Sequence, residues 1–161
     1  MLTLPKIVDR PAVAYVAVKA RVTLPFDDEI PNIMDRLFGF LKDNGLREAG
    51  PVFFKHNVVA MPDIEMEFGV PVDRPIAVNG DFVSGHLPAG RYAEVTYFGP
   101  YDDLIGVNGI LIDWARNAGW TFDARQQVGG EWFANRLEII HNNPAEDSTK
   151  WETTVSIKLK D

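Results

Sequence analysis

The sequence contains no cysteine among its 161 residues. This absence excludes disulfide bonds, iron–sulfur clusters, cysteine-ligated zinc and thiol nucleophiles. Long apolar runs are absent as well, since none approaches the roughly 18–20 residues that span a bilayer. The N-terminus lacks the basic start and the long apolar stretch of a signal peptide. We therefore expect a cytoplasmic protein that has no membrane partner.

Positive charge is scarce in this chain. There are 16 lysines and arginines against 23 aspartates and glutamates, which leaves a net charge of −7. This field would repel a nucleic acid duplex, and no basic run offsets it. We therefore expect no direct binding to nucleic acid. The negative charge agrees with a cationic ligand, although the need for solubility would explain it equally well.

Motifs for nucleophilic catalysis and for phosphate binding are also missing. Ser84, Ser148 and Ser156 lie outside any nucleophile-elbow pattern, and no glycine-rich phosphate loop is present. His56 and His141 could bridge a metal if their strands met, but packing at strand ends explains both residues. We expect neither a metal nor a cofactor.

The residues that are present predict a globular chain with a proper core, because 46% of them are hydrophobic. β-branched residues predict a strand over residues 12–22. Apolar residues over 30–41 recur at helical spacing, and Asn44-Gly45 ends that helix, since glycine tolerates the left-handed position after a helix. Residues 52–56 and 64–72 are typical of two further strands.

The same order of elements then starts again. Residues 92–98 are typical of a strand, an apolar stripe over 104–118 predicts a helix, and residues 136–141 and 151–159 predict two more strands. Local matches support an internal repeat. They pair Leu24-Pro25-Phe26-Asp27-Asp28 with Gly99-Pro100-Tyr101-Asp102-Asp103, Asn44-Gly45-Leu46 with Ala118-Gly119-Trp120, and Lys55-His56-Asn57 with Ile140-His141-Asn142.

These patterns predict an α+β fold made from a duplicated βαββ unit. One domain covers residues 1–161, with a first half at about 6–73, a turn-rich connection at about 74–90 and a second half at about 91–160. Two such units joined edge to edge would form one antiparallel sheet with two helices on one face. The seam between the halves is then the natural place for a cleft.

Several segments together resemble the gyrase-inhibitor-like (GyrI-like) small-molecule-binding domain, which also forms the effector-binding part of several AraC- and MerR-type regulators. The resemblance covers about residues 6–160, and because it starts so early we expect a stand-alone member. In the first half the matching segments are Glu48-Ala49-Gly50-Pro51-Val52 and Ile64 to Val72. The other matching segments are Leu87-Pro88-Ala89-Gly90-Arg91-Tyr92-Ala93, Gly99-Pro100-Tyr101-Asp102-Asp103-Leu104, Trp114, Gly119, Trp132 to Ile140, Asn143-Pro144 and Trp151-Glu152-Thr153.

The resemblance implies a cleft that takes bulky ligands, often cationic or aromatic, with a glutamate at its floor. That glutamate is Glu138 in this sequence. The family often places an aromatic residue, usually tyrosine, two positions later, where this chain has Ile140. A mechanism that needs a phenol beside the carboxylate is therefore weakened here.

Strand alternation puts Glu138 and Ile140 on one face of their strand. A carboxylate on an inner face is costly unless it is paired, so Glu138 either meets a cation in a cleft or is an ordinary surface or ion-paired residue, with Arg136 or Lys55 as its partner. By the repeat, Phe53 stands in the first half where Glu138 stands in the second, and would offer an apolar wall. Three further aromatic residues are candidates for the cleft wall or for the core: Trp132, Tyr101 and Tyr92.

Three functions follow as hypotheses. The first is a binding protein that sequesters or senses a bulky amphiphilic, cationic or aromatic ligand, with Glu138 as counter-ion. The second, implied by the resemblance, is a hydrolase of strained electrophilic compounds such as cyclopropanes or epoxides. In it, a desolvated Glu138 with a raised pKa would activate water as the catalytic residue. The third is an inhibitor of DNA gyrase that acts through its acidic surface.

Overall fold

The computed structural model describes residues 1–141 and 145–161 of the chain. The Asn143-Pro144 match therefore lies outside the described residues. No helix within the described ranges is long and apolar enough to cross a membrane.

Ten strands and two α-helices make up the described structure. Helix α1 (Ile30–Asp43) follows a short 3-10 helix at Asp27–Glu29, and α2 (Leu104–Asn117) follows another at Tyr101–Asp103. A third 3-10 helix covers Ser148–Lys150. The strands are β1 (Lys6–Arg10), β2 (Val13–Thr23), β3 (Phe53–Ala60), β4 (Asp63–Pro71), β5 (Phe82–Leu87), β6 (Gly90–Phe98), β7 (Ala124–Gln127), β8 (Gly130–Phe133), β9 (Arg136–Ile140) and β10 (Glu152–Lys158).

The strands form one antiparallel sheet in the order β1-β6-β10-β9-β3-β4-β2-β5. The β7–β8 hairpin joins it through β3. The two predicted halves are β2-α1-β3-β4 and β6-α2-β9-β10, and they meet where β3 pairs with β9. The predicted α+β fold with a duplicated βαββ unit is therefore confirmed. The connection also contributes β5, which pairs with β2 at one edge of the sheet.

Each helix packs one apolar stripe onto the sheet. In α1 the buried residues are Ile33, Leu37 and Leu41, which recur at helical spacing. In α2 the stripe of Leu104, Val107, Leu111 and Ala115 also contains a buried polar residue, Asn108. A polar side chain in such a stripe is costly unless it is hydrogen-bonded, which makes Asn108 the exception to explain.

The core consists of three clusters of buried side chains. One joins α1 to β2 and β4, and the second joins α2 to β6 and β10. The third lies on the opposite face of the sheet and contains no helix residue; its buried members are Tyr15, Ala17, Phe53, Leu87, Leu137 and Ile139. Both helices therefore cover the same face of the sheet, and the cleft must lie between them on that face.

Candidate functional site

A cavity of about 360 Å³ opens between the two halves, near the N-terminal ends of both helices. This volume lies within the range typical of small-molecule sites, about 300–1,000 Å³. Most of its wall is apolar, and the polar side chains are concentrated at its floor. The first half contributes Leu24, Phe26, Ile30, Phe54 and Ile64 to the wall, and the second half contributes Tyr101, Leu104, Ile105 and Ile140.

Glu138 lies at the floor of this cavity and is only 7% exposed. Its Oε1 atom lies 3.2 Å from Nε2 of His56, which comes from β3 of the other half. Its Oε2 atom accepts a hydrogen bond of 3.1 Å from Nδ2 of Asn108 on α2. Three elements from both halves therefore hold this carboxylate in place.

Arg136 lies two residues before Glu138 on β9 and also lines the cavity. Its Nε and Nη2 atoms donate hydrogen bonds of 3.2 and 3.0 Å to Oδ1 of Asn108. The guanidinium also lies 4.8 Å above the ring of Phe133, a distance at which the cation and the ring attract each other. Asn108 therefore contacts a cation with one end of its amide and an anion with the other.

The pKa of Glu138 is set by opposing effects. Burial alone would raise it, but the neighbouring His56, the Arg136 charge and the Asn108 hydrogen bond outweigh burial and lower it below its ordinary value. Glu138 is therefore a carboxylate at neutral pH. This direction is opposite to the raised pKa that the hydrolase hypothesis assumes.

A lowered pKa predicts a specific dependence of stability on pH. As the pH falls, Glu138 is protonated in the unfolded chain before it is protonated in the folded protein. Ionised Glu138 therefore stabilises the fold at pH values above its ordinary pKa of 4.5, and this contribution is lost as the pH falls through the lower pKa of the folded state. In denaturant unfolding between about pH 6 and pH 3, the free-energy difference between the protein and Glu138→Gln should therefore shrink. The exposed Glu48→Gln serves as control. A difference that grows with acidity would contradict the prediction.

The relation between the two halves can be read from matching backbone contacts. The N–H of Leu24 donates to the carbonyl of Pro62, and the N–H of Gly99 donates to the carbonyl of Trp151. Each hydrogen bond joins the residue that follows the first strand of a repeat to the residue that precedes its last strand. Pro62 beside β4 therefore corresponds to Trp151 beside β10.

This correspondence places His56, not Phe53, opposite Glu138 in the repeat. Counting from Pro62 along β4 and from Trp151 along β10, Met66 and Val155 occupy equivalent positions. Met66 pairs with His56 on the neighbouring strand, and Val155 pairs with Glu138. The expectation for Phe53 is therefore wrong by register. The floor of the cleft combines an imidazole from one half with a carboxylate from the other.

The other predicted site residues divide into two groups. Tyr101 and Ile140 line the cavity with Glu138. Phe53 lies on the opposite face of the sheet in the third cluster. Tyr92 is buried on that face too; its hydroxyl donates to Pro88 and accepts from Asn135. Trp132 is 40% exposed on the β7–β8 hairpin and does not line the cavity.

Sequence reasoning missed Phe54, His56 and Asn108 as site residues. A signal for Asn108 was available, because it is a polar residue inside the apolar stripe of α2. Phe54 and His56 gave no comparable signal, since their assignment to the cleft face depends on the pairing of β3 with β9, which is set by contacts between the halves.

The cleft continues beyond the Glu138 floor into a second space of about 740 Å³. Phe54, Tyr101 and Ile140 line both parts. The second part reaches Trp151, whose ring centroid lies 4.4 Å from that of Tyr101. The groove therefore has a polar end at Glu138 and an aromatic end at Tyr101 and Trp151.

A carboxylate at the floor of an apolar cleft between repeated halves is an arrangement suited to holding a small molecule. The sequence matches the family model of the GyrI-like small molecule binding domain over residues 4–160. The chain belongs to this family. A search of curated proteins found no match.

Solved structures share the fold at low sequence identity. The C-terminal domain of EcmrR aligns with a TM-score of 0.81 and 18% identity, covering 98% of this chain and 97% of that one. In the EcmrR–DNA complex the TM-score is 0.80 at 18% identity, covering 98% of this chain, which spans 57% of the length of EcmrR.

Two further structures are more distant. SAV2435, solved with tetraphenylphosphonium bound, aligns with a TM-score of 0.60 and 9% identity, covering 98% of this chain and 94% of that one. A hydrolase from Listeria innocua aligns with a TM-score of 0.56 and 10% identity, covering 97% and 91%. At these identities the likeness shows the fold alone.

Proposed function

We propose that the cleft binds a bulky amphiphilic molecule that carries a positive charge, with Glu138 as its counter-ion. The observation that carries this proposal is the buried carboxylate at the floor of an apolar cavity, where its neighbours keep it ionised. A buried charge is costly unless it meets an opposite charge or hydrogen bonds. His56 and Asn108 offset part of this cost within the protein, and a ligand cation would add an opposite charge from the cavity side.

The mouth of the cleft supports an amphiphilic ligand. Met61 and Ile105 line the cavity and are 54% and 60% exposed, so a bound molecule would cover apolar surface. Removing apolar surface from water contributes about 25 cal/mol per Å². Asp27 and Asp102, one from each half, line both parts of the groove and add negative charge near its entrance.

The available contacts are sufficient for useful affinity. Micromolar binding needs about 8 kcal/mol. A cation over an aromatic ring contributes about 0.5–2 kcal/mol, depending on how far it is removed from water. The rings of Phe54 and Tyr101 line the cavity near Glu138. Together with buried apolar surface and one ion pair, these contacts can reach the required total.

The test compares a cationic probe with a neutral one. Tetraphenylphosphonium and triphenylphosphine oxide are titrated by calorimetry into the protein and into Glu138→Gln. We expect the substitution to weaken binding of the cation by about tenfold, which corresponds to about 1.4 kcal/mol, and to change binding of the neutral probe little. The reason is that glutamine keeps the shape of the floor and loses its charge.

The matched control is Glu48→Gln, which removes one negative charge from an exposed position outside the cavity lining. It should leave the affinity for both probes unchanged. If Glu48→Gln and Glu138→Gln weaken binding of the cation equally, the overall charge and not the floor carboxylate attracts it. If the protein binds neither probe, the proposal is wrong.

The hydrolase hypothesis has weaker support. A carboxylate whose pKa is lowered is a poor base for activating water. Turnover of an epoxide that is lost in Glu138→Gln would nevertheless establish it. Inhibition of DNA gyrase and a cytoplasmic location stay predictions from the sequence.

A further inference from the structure

We propose that Asn108 is a positioning residue that holds Arg136 away from Glu138 and thereby makes the cleft selective for cations. This inference rests on the proposed binding function and concerns how the same site distinguishes charge. The observation behind it is the amide of Asn108, which is bonded at one end to the guanidinium and at the other end to the carboxylate.

Arg136 and Glu138 are placed where they would normally form an ion pair. They are separated by one residue on β9 and therefore point to the same face of the strand. Arginine prefers to bind a carboxylate through two parallel N–H donors. Between these two described side chains no such bond forms, because Nε and Nη2 of Arg136 both donate to Oδ1 of Asn108.

The position of Asn108 is itself restrained. Its Nδ2 donates to the carbonyl of Leu104, one helical turn earlier, at 2.8 Å, as well as to Glu138. The residue is 4% exposed. Because the amide nitrogen donates to Leu104 and to Glu138, the amide oxygen faces Arg136. The side chain therefore has one orientation that satisfies all of its neighbours.

The consequence concerns the charge that a ligand meets. A direct pair of Arg136 with Glu138 would supply an internal counter-ion and occupy the carboxylate oxygens that a ligand cation needs. With Asn108 between them, the guanidinium donates hydrogen bonds to a neutral amide and lies over the face of the Phe133 ring. Glu138 then keeps its negative charge, and among the described side chains of the other half only His56 contacts it.

The test uses a substitution that removes all four hydrogen bonds of the amide and keeps its size. In Asn108→Leu, Arg136 is free to pair with Glu138. We expect the affinity for tetraphenylphosphonium to fall by about tenfold or more, and the affinity for triphenylphosphine oxide to stay within about threefold. Asn108→Ala removes the same bonds with less bulk and should give the same pattern if the leucine variant does not fold.

A second substitution separates positioning from simple damage to the cleft. In the double variant Asn108→Leu/Arg136→Met the guanidinium is absent, so Glu138 regains its free charge. We expect the preference for the cation to return to that of Arg136→Met alone, within about threefold. A merely structural role for Asn108 would leave the double variant as weak as Asn108→Leu.

The outcomes distinguish this inference from the proposal on which it rests. If the unaltered protein prefers the cation and both Asn108 variants retain that preference, the positioning role is wrong and the binding function stands. The positioning role is also wrong if removing Arg136 does not restore the preference. If the unaltered protein shows no preference for the cation, the counter-ion role of Glu138 and the inference fall together.

Discussion

Phe53→Ala should lower the free energy of unfolding by about 3–5 kcal/mol while leaving ligand affinity unchanged. Phe53 is 1% exposed and packs edge-on against Tyr15, with ring centroids 5.5 Å apart. Its ring also closes over Gly69, where an added Cβ atom would lie 2.6 Å away. Truncation would leave a cavity in the third cluster, far from the cleft face. Denaturant unfolding and titration with tetraphenylphosphonium measure the two effects separately.

The neighbouring residue provides the matched control. Phe54 lies on the other face of the same strand, lines the cleft and packs against Phe68 with ring centroids 5.0 Å apart. Phe54→Ala should therefore lose stability as well, and should also weaken the binding of tetraphenylphosphonium. If Phe53→Ala weakens that binding as strongly as Phe54→Ala does, the assignment of the two faces is wrong.

Glu67→Leu should destabilise the fold by about 3–5 kcal/mol, because it leaves a buried lysine without its anionic partner. Lys55 and Glu67 face each other across β3 and β4 at 3.6 Å, and both side chains are largely buried. Burial lowers the pKa of Lys55, against the opposing effect of Glu67. The hydroxyl of Tyr15 donates a hydrogen bond of 2.5 Å to the same carboxylate, and Asn57 donates another.

Removing both charges tests the physical cause. In Lys55→Met/Glu67→Leu no uncompensated charge remains, so the part of the lost free energy of unfolding that the unpaired lysine causes should return. The part that comes from the lost hydrogen bonds of Tyr15 and Asn57 should not return. The measurement is denaturant unfolding of the two single variants and the double variant at neutral pH. A double variant as unstable as the sum of the single variants would show that the pair contributes through packing alone.

Much of the fold was predictable because it depends on local pattern. The apolar stripes of α1 and α2 and the runs of β-branched residues determine helices and strands over short distances. Their repetition predicted the duplicated unit, and alternation along β9 placed Glu138 and Ile140 on one face. The family resemblance and the fold were both confirmed.

The repeat register could not be obtained in the same way. The local match of Lys55-His56-Asn57 with Ile140-His141-Asn142 aligned Phe53 with Glu138, whereas the pairing of the strands aligns His56 with Glu138. The bulge in β3 between His56 and Val58 comes after both Phe53 and His56, so it does not cause this difference. The register is set by the pairing of strands that are distant in the chain, and sequence similarity over three residues does not detect that pairing.

The elements, their order and their repetition could be predicted from local pattern, because helical and strand periodicity arise from residues close together in the chain. The neighbours of Glu138 at the cleft floor, in contrast, depend on how the two halves pair. Glu138, His56 and Asn108 come from β9, β3 and α2, and their contacts exist only once the two halves pair. Long-range packing sets which charges meet, and therefore whether Glu138 is free for a ligand or already neutralised by Arg136.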